Sequence, residues 1–164
     1  MLYCSTSYAE LYYYKDASGN IYITNIPTNK PLWKNTKAKI PEKIFKKAGR
    51  LYGIDPALLK AMAKVESNFD PYAISPKGAR GLMQLMPSTA KIYGVRNCFH
   101  TEENVKAAAA FLKDLLEEFE NLELALAAYN AGPNKVKKFK KIPPYPETRR
   151  YVKKVLYFYS KYKK

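Results

Sequence analysis

The stretch of sequence that decides the fold is residues 55–70, DPALLKAMAKVESNFD. An Asp followed by Pro typically starts a helix, because the Asp side chain caps free backbone N–H groups and Pro has no N–H to leave unpaired. The apolar residues then recur every three or four positions, which is the period of an α-helix: Leu58, Leu59, Met62 and Val65. We expect Asp70-Pro71 to stop this helix, with Glu66 near its C-terminal end.

Helical periodicity continues on both sides of this stretch. Upstream, residues 42–52 show an apolar face that includes Leu51, and Gly53 follows in the position of a C-terminal cap. Downstream, the sequence predicts helices over residues 87–93, 101–119 (capped by Thr101), 122–130, 134–139 and 147–162, and a short buried helix over 81–86, GLMQLM. Six or more helices with short connections predict a mainly α domain.

The N-terminal residues have a different pattern. The runs LYYY (residues 11–14) and IYIT (residues 21–24) flank a turn that contains glycine, which predicts a β-hairpin. We therefore expect a hairpin module with its Pro-rich linker over residues 10–39 and the main domain over residues 40–164. Residues 1–9 end in Ser7-Tyr8-Ala9, with small residues where a signal peptidase reads. They are interpreted either as the remnant of a truncated export signal or as a disordered terminus.

The composition is that of a soluble globular protein, with 47% apolar and 26% charged residues among 164. The sequence contains no apolar run of membrane-spanning length. Cys4 and Cys98 could form a disulfide in an oxidising compartment, but their spacing fits neither a metal site nor a redox motif, and His100 is the only histidine. We therefore expect no metal and no cofactor.

Positive charge is concentrated at the C-terminal end of a chain whose net charge is +15. Residues 131–164 carry twelve basic side chains and one acidic side chain, Glu147. Such a segment should seek a polyanion. A nucleic acid, a cell wall with peptide carboxylates and anionic polymers, and a merely solvated helix face all remain open on charge alone.

Glu66 is the candidate catalytic residue. A glutamate in a helix is usually a solvated surface group, but this one ends an apolar helix. The sequence beyond it places polar residues in apolar surroundings: Ser75, Gln84, Tyr129 and Asn130. A carboxylic acid in an apolar pocket has a raised pKa and stays protonated near neutrality, as a general acid must. This is the environment that glycoside cleavage requires.

Four ordered motifs resemble those of the soluble lytic transglycosylase family: ESNFDP (residues 66–71), SPKGA (75–79), GLMQLMP (81–87) and AYNAG (128–132). ETRRYV (147–152) is similar to the closing motif of that family. The resemblance covers about residues 41–160. The hairpin is similar, more weakly, to a small N-terminal module that sometimes precedes such domains.

The resemblance implies a lysozyme-like α fold with a glycan-binding cleft, in which Glu66 is both acid and base. It would protonate the oxygen between N-acetylmuramic acid and N-acetylglucosamine and then take the proton of the muramic C6 hydroxyl. That hydroxyl would close a 1,6-anhydro ring without water, since an intramolecular nucleophile has a high effective concentration.

The resemblance also implies six further site residues. Ser75 would hydrogen-bond Glu66, Tyr129 would support the acid, and Tyr151 would form a further wall. Gln84 and Asn130 would contact the N-acetyl sugar, and Met86 would line the cleft. Simpler interpretations are open: Ser75 as a turn residue, Met86 as core filler and Asn130 as a helix terminator.

Two other functions compete with this interpretation. A goose-type lysozyme would hydrolyse the same bond with a second carboxylate to activate water, for which Asp70 is the nearby candidate. A non-catalytic wall-binding or nucleic-acid-binding module would use the basic end, although no nucleic-acid fingerprint is recognisable. We expect a monomer whose partners are peptidoglycan strands and the anionic cell-wall surface, with no nucleic acid and no transmembrane segment. The expected location is periplasmic or secreted, associated with the cell envelope.

Overall fold

A computed structural model describes residues 12–15, 21–24 and 40–163, and it divides the chain into two units, Met1–Thr36 and Lys37–Lys164. In the first unit, β1 (Tyr12–Lys15) and β2 (Ile21–Thr24) pair antiparallel, with Tyr12 opposite Thr24, as the sequence predicts. The turn, the linker, Cys4 and the suggested signal remnant lie outside the described residues. The assignment of residues 10–39 to a separate module stays a prediction.

The second unit is helical, which confirms the predicted fold class. Its helices in chain order are α1 (Glu42–Tyr52), α2 (Pro56–Ser67), α3 (Pro87–Ile92), α4 (Thr101–Phe119), α5 (Leu122–Ala131), α6 (Pro133–Phe139) and α7 (Pro146–Tyr162). Helix α2 packs against α1 and α7, while α4 packs against α1 and α5, and α5 against α6 and α7. In the described part of the chain, no helix combines the length and the apolar character needed to cross a bilayer.

The start of α2 is formed as expected, but its end is not. The Asp55 carboxylate accepts a hydrogen bond from the Ala57 amide at 2.8 Å, and Pro56 occupies the first helical position. The helix ends at Ser67, because Asn68 and Phe69 both have left-handed backbones, with φ of 54° and 67°. The prediction that Asp70-Pro71 ends it was therefore wrong by two residues.

Two further local predictions were wrong. His100, not Thr101, caps α4, since its Nδ1 atom accepts a hydrogen bond from the Glu103 amide at 3.3 Å. Leu51, expected on the buried face of α1, is 58% exposed. Helix α1 instead approaches its neighbours along the Gly49 side, where an added Cβ would lie 2.5 Å from the Ile54 carbonyl oxygen. Leu51 lies two residues after Gly49, about 200° around the helix axis, and so faces solvent.

The core surrounds α2, whose central residues are almost fully buried: Leu58, Leu59, Ala61, Met62 and Ala63. The same buried cluster includes Leu112 and Leu115 of α4, Leu126 of α5 and Val155 of α7. The last turn of α2, which carries Glu66, is less buried than its centre. The core therefore holds α2 rigidly and presents its C-terminal end to the surface.

Residues 81–86 do not form the predicted helix. Arg80 and Leu85 exchange both backbone hydrogen bonds, at 2.9 and 3.0 Å, and close a tight turn between them. Gly81 and Gln84 have left-handed φ values of 79° and 49°, which a right-handed helix excludes. Leu82, Met83 and Leu85 are buried within this turn, so their apolar character reflects burial and not helical structure.

Candidate active site

Glu66 lies in the last turn of α2, partly buried between α5 and α7. The pKa of its carboxyl is raised to about 8, mainly by burial; the Tyr151 hydroxyl opposes this shift, and the negative charge of Glu147 adds to it. Desolvation has this effect because it disfavours the charged form. Glu66 is therefore protonated at neutral pH and can act as a general acid.

Two phenols lie beside this carboxyl, those of the half-buried Tyr129 and the buried Tyr151. The charge of Glu66 contributes to the raised pKa of both Tyr129 and Tyr151, after the larger effect of burial, so both phenols stay neutral hydrogen-bond donors. Tyr129 donates its hydroxyl to the Met83 carbonyl oxygen at 3.0 Å. Within the described residues, the Tyr151 hydroxyl is buried without a well-formed hydrogen bond, but it lies close enough to Glu66 to lower the pKa of that carboxyl. Tyr151 is thus a neighbour of the acid, and its expected role as a wall of the cleft stays a prediction.

Side chains from three helices hold the 80–85 turn. Ser67 of α2 donates its hydroxyl to the Leu82 carbonyl oxygen at 2.8 Å. Asn104 of α4, which is fully buried, accepts from the Met83 amide at 2.8 Å and donates to the Arg80 carbonyl oxygen at 3.2 Å. With Tyr129 of α5, these bonds satisfy the backbone of a turn that has little regular structure of its own.

The Gln84 side chain connects this turn to the preceding loop by hydrogen bonds. Its Nε2 atom donates to the carbonyl oxygens of Ala73, at 3.0 Å, and Gly81, at 2.9 Å. Both amide hydrogens are therefore used inside the protein. Its Oε1 atom has no partner among the described residues and is the atom available to a ligand. The expected contact of Gln84 with an N-acetyl sugar stays a prediction, now restricted to that oxygen.

Asn130 is oriented by a residue of the closing motif. The buried hydroxyl of Thr148 donates to Asn130 Oδ1 at 2.9 Å, joining the end of α5 to the first turn of α7. This bond occupies Oδ1 and leaves the Asn130 amide hydrogens available as donors. Asn130 thus has a fixed orientation, which a residue that merely terminates a helix does not need.

Ser75 and Met86 lie at the edges of this region. Ser75 accepts a hydrogen bond from the Ala79 amide at 3.0 Å and closes the SPKGA turn, and its expected bond to Glu66 stays a prediction. Met86 is 41% exposed and directly precedes α3, so the alternative interpretation as core filler is wrong. Its place on the surface is compatible with the wall of a cleft.

The fold and these motifs match a known family. The family model described as the transglycosylase SLT domain matches residues 43–152. The chain belongs to the transglycosylase SLT domain family. The match includes Glu66, the 80–85 turn and the first turn of α7, so the resemblance read from the motifs is confirmed.

Relatives of this SLT domain occur in phages and bacteria. The chain is 38% identical to the transglycosylase of Enterobacteria phage PRD1 over 60% of its own length and 37% of the length of that protein. It is 32% identical to the membrane-bound lytic murein transglycosylase F of Desulfosudis oleivorans over 72% of its length and 31% of that relative. The chain thus spans about a third of the length of these curated relatives.

Solved structures share the same fold. An inactive glutamate-to-glutamine variant of the lytic transglycosylase Slt of Pseudomonas aeruginosa has a TM-score of 0.70 at 30% identity, over 75% of this chain and 24% of that one. The 70 kDa soluble lytic transglycosylase of Escherichia coli has a TM-score of 0.66 at 31% identity, over 74% and 24%. The lysozyme-like helical fold predicted for this SLT domain is confirmed.

Four residues around the site of this SLT domain were missed by sequence reasoning: Ser67, Asn104, Glu147 and Thr148. Asn104 carried a signal, because it is a polar residue directly before the buried stripe of α4 that begins at Val105. Glu147 is exposed and pairs with Lys77 at 3.0 Å, although its charge reaches Glu66. Within the described part of the chain, no group of three or more His, Cys, Asp or Glu side chains could hold a metal ion.

The raised pKa of Glu66 predicts a pH-dependent difference in stability between the wild type and Glu66→Gln. The folded wild type holds a proton on Glu66 between its ordinary pKa of 4.5 and about 8, whereas the unfolded chain has released it. The free energy of unfolding of the wild type therefore falls as pH rises through this window, relative to the variant. We expect a relative loss of a few kcal/mol, since a tenfold change in the proton-binding constant corresponds to about 1.4 kcal/mol.

Urea unfolding of both proteins across this pH range measures the effect. Below the ordinary pKa of 4.5 both states bind the proton, so the difference between the two proteins should be constant there. If the difference in free energy of unfolding between the two proteins stayed constant up to about pH 8, Glu66 would be solvated like a surface carboxyl.

Proposed function

We propose that this chain is a peptidoglycan lytic transglycosylase that cleaves the β-1,4 bond between N-acetylmuramic acid and N-acetylglucosamine without water. The observation that carries the proposal is the Glu66 carboxyl, protonated at neutral pH by burial and flanked by the neutral phenols of Tyr129 and Tyr151. Membership of the transglycosylase SLT domain family supports it.

In the first step, Glu66 gives its proton to the glycosidic oxygen. The bond between that oxygen and the anomeric carbon breaks, N-acetylglucosamine leaves with a free 4-hydroxyl, and positive charge develops on the muramic ring. The Glu66 carboxylate that results is stabilised by the Tyr151 hydroxyl, whose effect is to lower the pKa of Glu66. Tyr151 therefore favours release of the proton.

In the second step, Glu66 takes the proton of the muramic C6 hydroxyl. The oxygen attacks the anomeric carbon of the same sugar and closes the 1,6-anhydro ring, and Glu66 is protonated again. Atoms balance without water, and one carboxyl serves as acid and then as base. The intramolecular nucleophile replaces the second carboxylate that a hydrolase requires.

The remaining site residues hold the sugar and the acid. Asn130, whose Oδ1 is occupied by Thr148, presents its amide hydrogens to the N-acetyl carbonyl oxygen, and Gln84 presents Oε1. Ser75 donates its hydroxyl hydrogen to Glu66 while its oxygen accepts from Ala79. Met86 lines the cleft at the surface. These roles rest on the resemblance together with the polar atoms that the fold leaves available.

The hydrolytic alternative has one observation in its favour, since the Glu147 carboxylate is close enough to raise the pKa of Glu66. Glu147 is, however, 65% exposed and paired with Lys77, which suits an electrostatic role better than activation of a water molecule. Asp70 accepts a hydrogen bond from the Tyr72 amide at 2.9 Å, in the turn after α2.

Product analysis separates the two reactions. Mass spectrometry of digested peptidoglycan strands in ¹⁸O-water should show 1,6-anhydromuramic ends, without isotope incorporation. Glu147→Gln should give the same product, because the reaction does not need a second carboxylate. Reducing ends that carry the isotope, lost in Glu147→Gln, would establish a lysozyme instead.

The proposed reaction places the protein at peptidoglycan, in the periplasm or outside the cell. Relatives are named membrane-bound or soluble murein transglycosylases, which supports a location in the cell envelope. Residues 40–164 form the catalytic domain and act as a monomer, and residues 10–39 form an accessory hairpin module with its linker.

A further inference from the structure

Basic side chains converge on one depression of the helical unit, separate from Glu66. The depression has a volume of about 600 Å³ and lies between the start of α5, the loop after α6 and the first half of α7. Four of its lining residues are cationic and one is acidic, and two of the others are apolar: Lys140, Lys141, Arg149, Lys153; Glu123; Leu124 and Ile142.

These four cations have no ion-pair partner in the described part of the chain, unlike Lys137 nearby, which pairs with Glu118. Like charges around one concavity repel each other. Their combined electric field is strongest inside the concavity and attracts an anion into it. The basic C-terminal end is therefore not a uniformly solvated face. Within the described residues, part of it lines a depression with unpaired positive charge.

The depression lies on another side of α7 from the catalytic carboxyl. Tyr151 faces Glu66, whereas Arg149 and Lys153 are each two residues away, about 200° around the helix axis. On α5, Leu124 precedes Asn130 by six residues, about 9 Å along the axis. A ligand in the depression is therefore separate from the sugar that meets Glu66.

The lining favours a short peptide carboxylate. Leu124 and Ile142 are partly buried and offer a small apolar floor, which suits methyl groups next to an anion. The Arg149 guanidinium can bind a carboxylate in bidentate fashion, and the lysines add point charges. Among the described residues, no aromatic side chain lines the depression, so the stacking platform typical of single-stranded nucleic acid is missing from this part of the surface.

We propose that this depression binds the alanine- and carboxylate-bearing peptides of peptidoglycan, at a position separate from the catalytic carboxyl. The proposal rests on the proposed function for the identity of the polymer, but it concerns attachment and not cleavage. It replaces diffuse attraction between a basic helix and an anionic wall with one defined site.

The test measures binding of full-length Glu66→Gln protein to purified sacculi by co-sedimentation over a salt series, so that cleavage does not interfere. The depression variant carries four further changes: Lys140→Gln, Lys141→Gln, Arg149→Gln and Lys153→Gln. The control variant removes the same charge from exposed positions elsewhere: Arg50→Gln, Lys91→Gln, Lys106→Gln and Lys154→Gln. Thermal unfolding checks that all proteins are folded.

We expect the depression variant to bind roughly tenfold more weakly, since each exposed ion pair contributes a factor of up to about five. Its salt dependence should also decrease, because fewer charges are screened. The control variant should keep most of the affinity. Equal losses in the two variants would overturn the proposal and show that only total charge matters.

Treated sacculi identify the ligand. Soluble peptides that an amidase releases from sacculi should compete with the sacculi for binding, and sacculi from which hydrofluoric acid has removed phosphate-linked polymers should bind as before. The opposite result would overturn the proposal in favour of a phosphate polymer.

Cleavage provides an independent readout. With Glu66 restored, the depression variant should cleave soluble peptide-free glycan strands as fast as the wild type. A loss of cleavage as large as the loss of binding would place the depression in the cleft and overturn the proposal. A wild type without any cleavage would refute the proposed function while the sedimentation result still stood.

Discussion

Glu66→Gln is expected to abolish glycan cleavage while leaving the fold intact. The amide has the shape of the carboxyl but can neither release the proton that the leaving oxygen needs nor accept the proton of the C6 hydroxyl. Loss of a general acid or base alone costs about 10²- to 10⁴-fold in rate, so loss of both roles should reduce turnover by roughly 10³-fold or more. Stability at neutral pH should not decrease, because a buried carboxyl with a raised pKa is replaced by a neutral group.

The measurement is turnover of soluble glycan strands, with anhydro ends quantified by mass spectrometry. Glu120→Gln provides a matched control, because it removes an exposed carboxyl that follows α4. The control should retain wild-type turnover. A folded Glu66→Gln protein with comparable activity would refute the mechanism and transfer the acid role to another group.

Gly81→Ala is expected to destabilise the helical unit strongly. An added Cβ would lie 2.1 Å from the Cys98 carbonyl oxygen and 2.7 Å from Asn104 Nδ2, far inside van der Waals contact. The left-handed φ of 79° adds backbone strain. To relieve the overlap, Asn104 would have to leave its bonds to Met83 and Arg80, which leaves buried polar groups unsatisfied. We expect a loss of about 3 kcal/mol or more.

Gly78→Ala separates the overlap from the backbone strain. Gly78 has a similar φ of 85°, but a Cβ there would meet nothing within 4 Å. Its cost should be the left-handed backbone alone, about 1–2 kcal/mol. Urea unfolding of both variants measures the two losses. If the losses were equal, the tight approach of the turn to Asn104 would not contribute to stability.

Much of the helical unit could be predicted because its signals are local. Asp55-Pro56 sets the start of α2 and Gly53 the end of α1, and both effects involve atoms within a few residues. The helix predicted over residues 81–86 was wrong because a short apolar run indicates burial without showing the backbone conformation. The bonds from Ser67, Asn104 and Tyr129, all distant in sequence, stabilise the turn instead.

The site shows the same division. The spacing of motifs along the chain predicted four candidate site residues: Glu66, Gln84, Tyr129 and Asn130. The role of Thr148 could not be predicted in this way, because its bond to Asn130 joins residues eighteen positions apart. The separation of the basic depression from Glu66 likewise depends on which side of α7 each residue occupies.

The sequence by itself determined the helical class and the family and singled out Glu66 as the candidate acid, because periodicity, capping and motif order are properties of the linear chain. Only the tertiary structure decided the pKa of Glu66, since that value depends on how completely α5 and α7 exclude water from the end of α2. It also decided the shape of the 80–85 turn, whose left-handed residues are held by a buried Asn104 that no local rule connects to them.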